Sequence, residues 1–302
     1  MEQMDQLESL CRQYDCPLLK EEPLRKHTTF RIGGCCTALI EIGSSAALEV
    51  LVRFCNDNQI RWTVLGNGSN VLVSDEGYDG VVFLIGKRFS HVEMEESGLV
   101  RCEAGALLMS VAKAALEHSF SGMECLAGIP GTIGGALYMN AGAYGGEMAD
   151  VVVCAQYLDE DGILKTIAKE DMDLSYRHSM FSGTKKIITS VTMQLHEGTY
   201  DAIRTEMEGY LRQRRAKQPL ELPSAGSTFK RPAGSYASFL IDQCGLKGAS
   251  VGDAQVSIKH AGFVVNTGKA TCKDVLELCD YVIETVREKT GYQLELEPVV
   301  LR

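Results

Sequence analysis

The stretch Gly128–Gly146, GIPGTIGGALYMNAGAYGG, constrains this chain more than any other. Seven of its residues are glycine and none is charged. Each glycine inside a regular helix or strand costs roughly 0.5–1 kcal/mol relative to alanine, so this density argues for a loop. Ile129, Ile133, Leu137, Tyr138 and Met139 lie between the glycines, which is not the composition of a solvated linker. The expectation is a packed loop whose backbone N–H groups meet an anion, a diphosphate being the best fit for a nest of amides.

A second glycine signal is Gly66-Asn67-Gly68-Ser69-Asn70. It lacks the third glycine of a dinucleotide fingerprint, and Val71-Leu72-Val73 reads on as strand, not helix. No GxxxxGK[ST] occurs anywhere. Taken alone, GNGSN is equally well a hairpin turn. Ahead of it, His27–Gly34 reads as a strand entering a tight turn and Thr37–Ile42 as a strand. Ala46–Asn58 reads as a helix with Leu48, Leu51, Val52 and Cys55 on one face, and Ile60–Leu65 as a strand. Strand, helix and strand suggest a βαβ unit with a right-handed crossover.

From Gly80 to about Ser190 the pattern is strand-rich, at 81–85, 100–103, 151–158, 163–168 and 187–195, with one helix near Leu108–His118. A helix over 200–215 puts Ile203, Met207, Tyr210 and Leu211 inward and ends in Arg212, Arg214, Arg215 and Lys217, which complement its dipole. Pro219 and Pro223 then break the chain. The remainder holds a helix near 238–243, a strand at 262–266, and a helix over 273–289. That helix has Thr271 as N-cap, Asp274 three residues on and Gly291 past its end. A terminal strand over QLELEPVV completes it. The class is α+β.

Composition limits partners. A net charge of −10 argues against nucleic acid and anionic membrane. No run reaches the ~18 apolar residues of a membrane span, and the acidic, amphipathic start is not a signal peptide. The eleven cysteines form no CxxC pair, which fits free thiols in a reducing cytoplasm. The six histidines lack metal-ligand spacing, so no metal is expected.

Three places offer reactive side chains. Pro223–Pro232 sets small hydroxyls beside Lys230 and Arg231, able to move a proton and to meet phosphate or carboxylate; a capped turn with solvated charges accounts for it as well. In the terminal strand, alternation puts Leu294 and Leu296 on one face and Glu295 and Glu297 on the other. Arg177 lies in SYRHSMF at 175–181. None is distinctive alone, and no GxSxG elbow or local nucleophile–base pair is present.

Together the motifs resemble the UDP-N-acetylenolpyruvoylglucosamine reductase family (MurB), in its shorter bacterial form. The resemblance rests on RIGG at 31–34, LGNGSNVLVSD at 65–75, AGIPGTIGGALYMNAGAYGGE at 127–147 and SYRHSMF at 175–181. It continues in QPLELPSAGSTFKRP at 218–232 and LIDQCGLKGASVGDAQVSIKHAGFVVNTGKAT at 240–271. The ordered set runs from about residue 25 to the end.

The resemblance implies non-covalent FAD in a two-part region of the vanillyl-alcohol-oxidase (PCMH) type plus a C-terminal α+β substrate domain. The implied divisions are 1–80 and 81–198 for FAD and 199–302 for substrate. It implies that NADPH reduces the flavin and leaves. The enolpyruvyl UDP-sugar then receives hydride at its enol-ether carbon and a proton at the neighbouring carbon, giving UDP-N-acetylmuramate for peptidoglycan in the cytoplasm. By resemblance Arg177 and Glu297 stabilise the developing charge and Ser227 gives the proton. The implied cofactor set is Gly66, Asn67, Gly68, Ser69, Asn70, Gly128, Pro130, Gly131, Thr132, Gly134, Gly135, Asn140, Gly142 and Arg214; Lys230 and Arg231 hold substrate. A monomer is expected. Arg231 stands where many relatives have Asn, and the sequence after Glu297 departs from the family pattern. An alternative register would put Glu295 at the site.

Overall fold

Residues 2–302 are described by the computed structural model. The chain divides into two compact units that it visits alternately. Unit 1 takes the chain up to Lys20, then Ala38–Asn67 and Gly80–Gln213; unit 2 takes Glu21–Thr37, Gly68–Asp79 and Arg214–Arg302. Each has its own apolar core, one centred on residues such as Leu48, Phe83, Leu108 and Val191, the other on Ile241, Val264, Leu278 and Val282. Among the described residues no helix is long and apolar enough to cross a membrane.

A four-stranded sheet runs in the order Leu18–Pro23, Cys35–Glu41, Tyr78–Leu84, Trp62–Leu65. The helix Ser45–Asp57 begins at Ser44, whose side chain accepts from the Ala47 N–H, and buries Leu48, Leu51, Val52 and Cys55. The strand–helix–strand unit is present, but Tyr78–Leu84 lies between its two strands and pairs in parallel with Trp62–Leu65. The sequence does not reveal that insertion, because the inserted strand comes later in the chain. A second, five-stranded sheet runs Leu164–Ala168, Val152–Leu158, Ile187–Gln194, Leu99–Glu103, Val92–Met94, with every neighbouring pair antiparallel. Its last strand went unread in the sequence. The helix Leu108–Glu117 buries the expected stripe of Leu108, Val111, Ala112, Ala115 and Leu116.

Three expectations are corrected. His27–Gly34 is not a strand. Leu24–Lys26 forms a 3-10 turn, Arg31 and Gly33 take positive φ of 57° and 123°, and strand resumes at Cys35. Those φ values are incompatible with an extended ladder. The glycine-rich stretch is not loop throughout, since Ile133–Tyr138 is helical. Gly134 is tolerated because a Cβ there would lie 2.7 Å from the Ala104 Cβ, so close packing on a neighbouring strand end outweighs propensity. Finally, Gln293–Pro298 is not a strand. It makes one antiparallel bridge, Leu296 with Phe229, and the ladder strand is Val299–Leu301, parallel to Val71–Val73. Pro298 lacks the N–H that a continuous ladder would need.

Unit 2 is arranged around the helix Cys272–Thr290. Thr271 and Asp274 form a reciprocal capping box, and Gly291 closes the helix at φ 79°. Such a cap contributes about 1 kcal/mol. Asp75 accepts from the N–H groups of Cys272 (2.7 Å) and Lys273 (3.0 Å), which complements the same dipole. The sheet Ser250–Val251, Ala254–Val256, Val264–Asn266 packs on this helix.

Candidate active site

In unit 1 two glycine turns meet. The Asn67 carboxamide donates to the Pro130 carbonyl at 2.7 Å, and a Cβ on Gly66 would sit 2.7 Å from the Thr132 Oγ1. Thr132 caps the helix Ile133–Tyr138, its hydroxyl accepting from the Gly135 N–H at 3.3 Å. Among the described residues, the N–H groups of Gly66, Asn67, Gly131 and Thr132 donate to no acceptor of the chain. A cluster of unspent amides fits the diphosphate of a dinucleotide. Not every glycine contributes an amide. Gly134 donates to the Ala104 carbonyl at 2.8 Å and Gly135 to Thr132, so their value is close backbone approach.

The second half of the stretch forms a hairpin. Gly142 and Ala143 pair with Glu147 and Gly146, with Tyr144 (φ 56°) and Gly145 (φ 96°) at the tip. Positive φ at both central residues is the two-residue hairpin geometry that matches strand twist. Tyr144 stacks on Tyr210 with ring centroids 4.7 Å apart. The Tyr210 hydroxyl donates to Glu206 at 2.9 Å, and that bond, then burial, raises its pKa.

Arg177, with φ 57°, is at the tip of a turn in which Ser175 and His178 exchange backbone hydrogen bonds. Its guanidinium donates to the Gly142 carbonyl at 3.2 Å and lies 4.9 Å from the Tyr176 ring centroid. Asn140, which takes positive φ of 41°, is fully buried. Its carboxamide donates to the Ser175 carbonyl at 3.1 Å and accepts from the Ala149 N–H at 2.9 Å. Ser179, also fully buried, donates to the Tyr138 carbonyl at 2.7 Å.

Unit 2 gathers Ser227, Lys230, Glu295 and Glu297. The Lys230 N–H donates to the Glu295 carbonyl (2.9 Å) and the Glu297 N–H to the Thr228 carbonyl (3.0 Å), either side of the Phe229–Leu296 bridge. Phe229 is buried on one face of this contact, while the alternate positions carry the polar groups. The buried Thr228 fixes the segment, donating its N–H to the Gly262 carbonyl and accepting from the Val264 N–H, both at 2.8 Å. Gly226, at φ 78°, makes the turn that presents the half-buried Ser227.

The two glutamates differ in setting. Glu295 is largely exposed and lies 3.5 Å from the Lys230 ammonium, whereas Glu297 is half-buried. Asn70 brackets the backbone beside Glu297, donating to its carbonyl at 3.3 Å and accepting from the Val299 N–H at 2.9 Å. The GNGSN signal is therefore shared. Gly66 and Asn67 belong to unit 1, and Gly68, Ser69 and Asn70 to unit 2. Arg231 lies 4.4 Å over the Tyr236 ring, and Arg214 is half-buried near the end of the helix Tyr200–Lys217. Thr29 went unread in the sequence. Its N–H donates to the Gly68 carbonyl and its hydroxyl to the Ser224 carbonyl, tying the RIGG region to the serine turn. The hydroxyl pair Thr28-Thr29 was the available signal.

The architecture and glycine turns define the fold class: an α+β chain with a two-part FAD-binding region of the PCMH type. A glucooligosaccharide oxidase from Acremonium strictum shares the fold, with a TM-score of 0.52 at 13% identity over 97% of this chain and 60% of that chain. The family model described as FAD binding domain matches residues 36–168, and that of the UDP-N-acetylenolpyruvoylglucosamine reductase C-terminal domain matches 218–301. The chain is 47% identical over 291 residues to the UDP-N-acetylenolpyruvoylglucosamine reductase of Agathobacter rectalis, covering 93% of this chain and 92% of that one. To that of Clostridium novyi it is 44% identical over 274 residues (91% and 89%). The crystal structure of the Thermus caldophilus enzyme aligns with a TM-score of 0.79 at 36% identity over 95% of this chain and 99% of that chain. The chain belongs to the UDP-N-acetylenolpyruvoylglucosamine reductase family.

Proposed function

We propose that the chain uses NADPH to reduce UDP-N-acetylenolpyruvoylglucosamine to UDP-N-acetylmuramate, a cytoplasmic step of peptidoglycan precursor synthesis. The observation that carries this reading is the Ser227–Lys230 segment, paired against Glu297 within the region matched by the reductase C-terminal model. FAD, bound when the protein is active, supplies a carrier of hydride between the two substrates. The N–H groups of Gly66, Asn67, Gly131 and Thr132 hold its diphosphate. Gly68, Ser69, Asn70, Gly128, Pro130, Gly134, Gly135, Gly142 and Arg214 complete the assigned set; the carboxamide of Asn140, which the resemblance counts among them, is fully buried and engaged by Ser175 and Ala149, so it holds the chain rather than the cofactor. Regions 1–80 and 81–198 serve the cofactor and 199–302 the substrate.

Hydride addition to an enol ether that bears a carboxylate leaves negative charge on the substrate. Arg177 stabilises that charge as a fixed cation, and Glu297 does so as a neutral acid donating its proton in a hydrogen bond. Ser227 then gives its hydroxyl proton to the neighbouring carbon. A hydroxyl is a weak acid, but the enolate-like carbon is a strong base, and the serine is reprotonated from water. Lys230 and Arg231 bind the diphosphate of the sugar nucleotide through charge-assisted hydrogen bonds. The half-buried setting of Glu297, against an exposed and ion-paired Glu295, favours Glu297 as the acting carboxylate. All eleven cysteines are unpaired thiols, which suits a reducing compartment. The protein is assigned as a monomer.

An anaerobic half-reaction experiment tests the reading. The expected result is FAD bleached by NADPH and its colour restored by UDP-N-acetylenolpyruvoylglucosamine, with UDP-N-acetylmuramate as product. Bleaching without restoration by that substrate overturns the assignment.

A further inference from the structure

Asn140 lies two residues past the helix Ile133–Tyr138, among the residues that the family resemblance gives to the cofactor. Its carboxamide is spent inside the protein. The side chain is fully buried, its donor faces the Ser175 carbonyl at 3.1 Å and its acceptor faces the Ala149 N–H at 2.9 Å. The same Ser175 carbonyl accepts from the His178 N–H, closing the turn that has Tyr176 and Arg177 at its centre. Two residues beyond Asn140, the Gly142 carbonyl accepts from the Arg177 guanidinium at 3.2 Å. Two residues before it, the Tyr138 carbonyl accepts from the hydroxyls of Ser179 (2.7 Å) and Ser182 (3.2 Å). Positions 138, 140 and 142 thus hold the segment 175–182 at Ser179 and Ser182, at Ser175 and at Arg177 respectively.

We propose that Asn140 is a positioning residue for Arg177, and that the segment Tyr138–Gly142 is the bracket that aims this guanidinium. The proposal rests on the reading of Arg177 as the residue that stabilises substrate charge. Arg177 has positive φ, a conformation that costs a bulky residue energy and persists only when surrounding bonds over-determine it. The Asn140 carboxamide supplies one such bond, to the carbonyl at the start of the turn. A fully buried amide with both ends engaged also holds its own orientation, because rotating it would leave a carbonyl and an N–H unpaired.

The test uses FAD-loaded Asn140→Asp, Asn140→Gly, Arg177→Ala and the Asn140→Asp/Arg177→Ala pair. Aspartate keeps the shape and the Ala149 contact but sets an acceptor against the Ser175 carbonyl. Glycine removes the carboxamide and is relaxed at φ 41°, so it remains informative if aspartate fails to fold. Flavin reduction by NADPH should stay within about threefold of the parent. Reoxidation by the enolpyruvyl sugar should slow about 10²-fold, the scale of an ångström-sized misplacement. The double variant should be no slower than Arg177→Ala alone, because the aim of an absent group no longer matters. Amide hydrogen exchange over 174–181 should rise in both single Asn140 variants with little change over 128–135.

Unchanged exchange over 174–181, parallel slowing of both half-reactions, or additive losses in the double variant would each overturn the proposal. If the parent protein is not reoxidised by this substrate, the function fails instead, and the exchange measurement still decides whether Asn140 anchors the turn.

Discussion

The nest in unit 1 and the serine segment in unit 2 present polar groups by opposite means. The nest is built from backbone amides, and its residues matter for what their side chains lack: a Cβ on Gly66 or Gly134 would lie 2.7 Å from a neighbour. In the serine segment, backbone pairing is only scaffold, and Ser227, Lys230 and Glu297 are side chains set out along it. The difference predicts different failure. Single substitutions in unit 2 should remove chemistry while leaving the fold, whereas substitutions in the nest should disturb packing and cofactor retention together.

Ser227→Ala gives the largest expected effect. Reoxidation by the enolpyruvyl substrate should slow on the order of 10²–10⁴-fold, the usual worth of a general acid, with reduction by NADPH near normal. Stopped-flow absorbance of the flavin checks both, and equal slowing of the two steps would erase the distinction between the regions. Next is Glu297→Ala against Glu295→Ala. Loss of a donor to developing charge costs about 10²–10³-fold, whereas loss of an exposed ion pair is worth about 0–1 kcal/mol. Reversal of that order in the same assay would move the acting carboxylate to Glu295.

Gly134→Val sharpens the comparison from the other side. The added side chain meets Ala104 on the strand end that also accepts the Gly134 N–H, so repacking should cost about 1–3 kcal/mol. Urea unfolding should show the loss, and the purified protein should retain less FAD. Full stability with full FAD would mean that close approach at this glycine is not what the nest requires.

These regions were not equally legible. Glycine density pointed to the nest, but not to the helix at Ile133–Tyr138, because Gly134 is set by contact with Ala104, a residue distant in sequence. Caps were legible because they are local: Thr271, Asp274 and Gly291 act as their spacing suggests. The alternation of Leu294, Glu295 and Glu297 was readable, yet the strand it implied is reduced to one bridge beside Pro298. The reactive side chains became meaningful only through the ordered motifs. Nothing in Ser227 alone shows that Thr228 will be fixed by Gly262 and Val264. The role of Asn140 was hidden for the same reason, since its partner Ser175 lies 35 residues on.

The smallest expected effect concerns acid. Burial lowers the pKa of His260, so the folded chain holds it neutral, with Nδ1 accepting from the Gly262 N–H at 3.2 Å. As pH falls through the ordinary histidine range, the unfolded chain takes up a proton that the folded chain resists, and stability declines. Once His260 is charged, Nδ1 no longer accepts and the Gly262 turn loosens. The Gly262 carbonyl holds the Thr228 N–H at 2.8 Å, so the effect should reach the serine segment. Relative to the intrinsic exchange rate, amide exchange over 224–232 should rise as pH falls through and below the ordinary histidine range, while exchange over 128–135, where no side chain titrates, should follow only the intrinsic pH trend. His260→Gln should flatten the difference. An equal acid response in both segments would show that the contrast between amide-built and side-chain-built regions does not extend to their pH sensitivity.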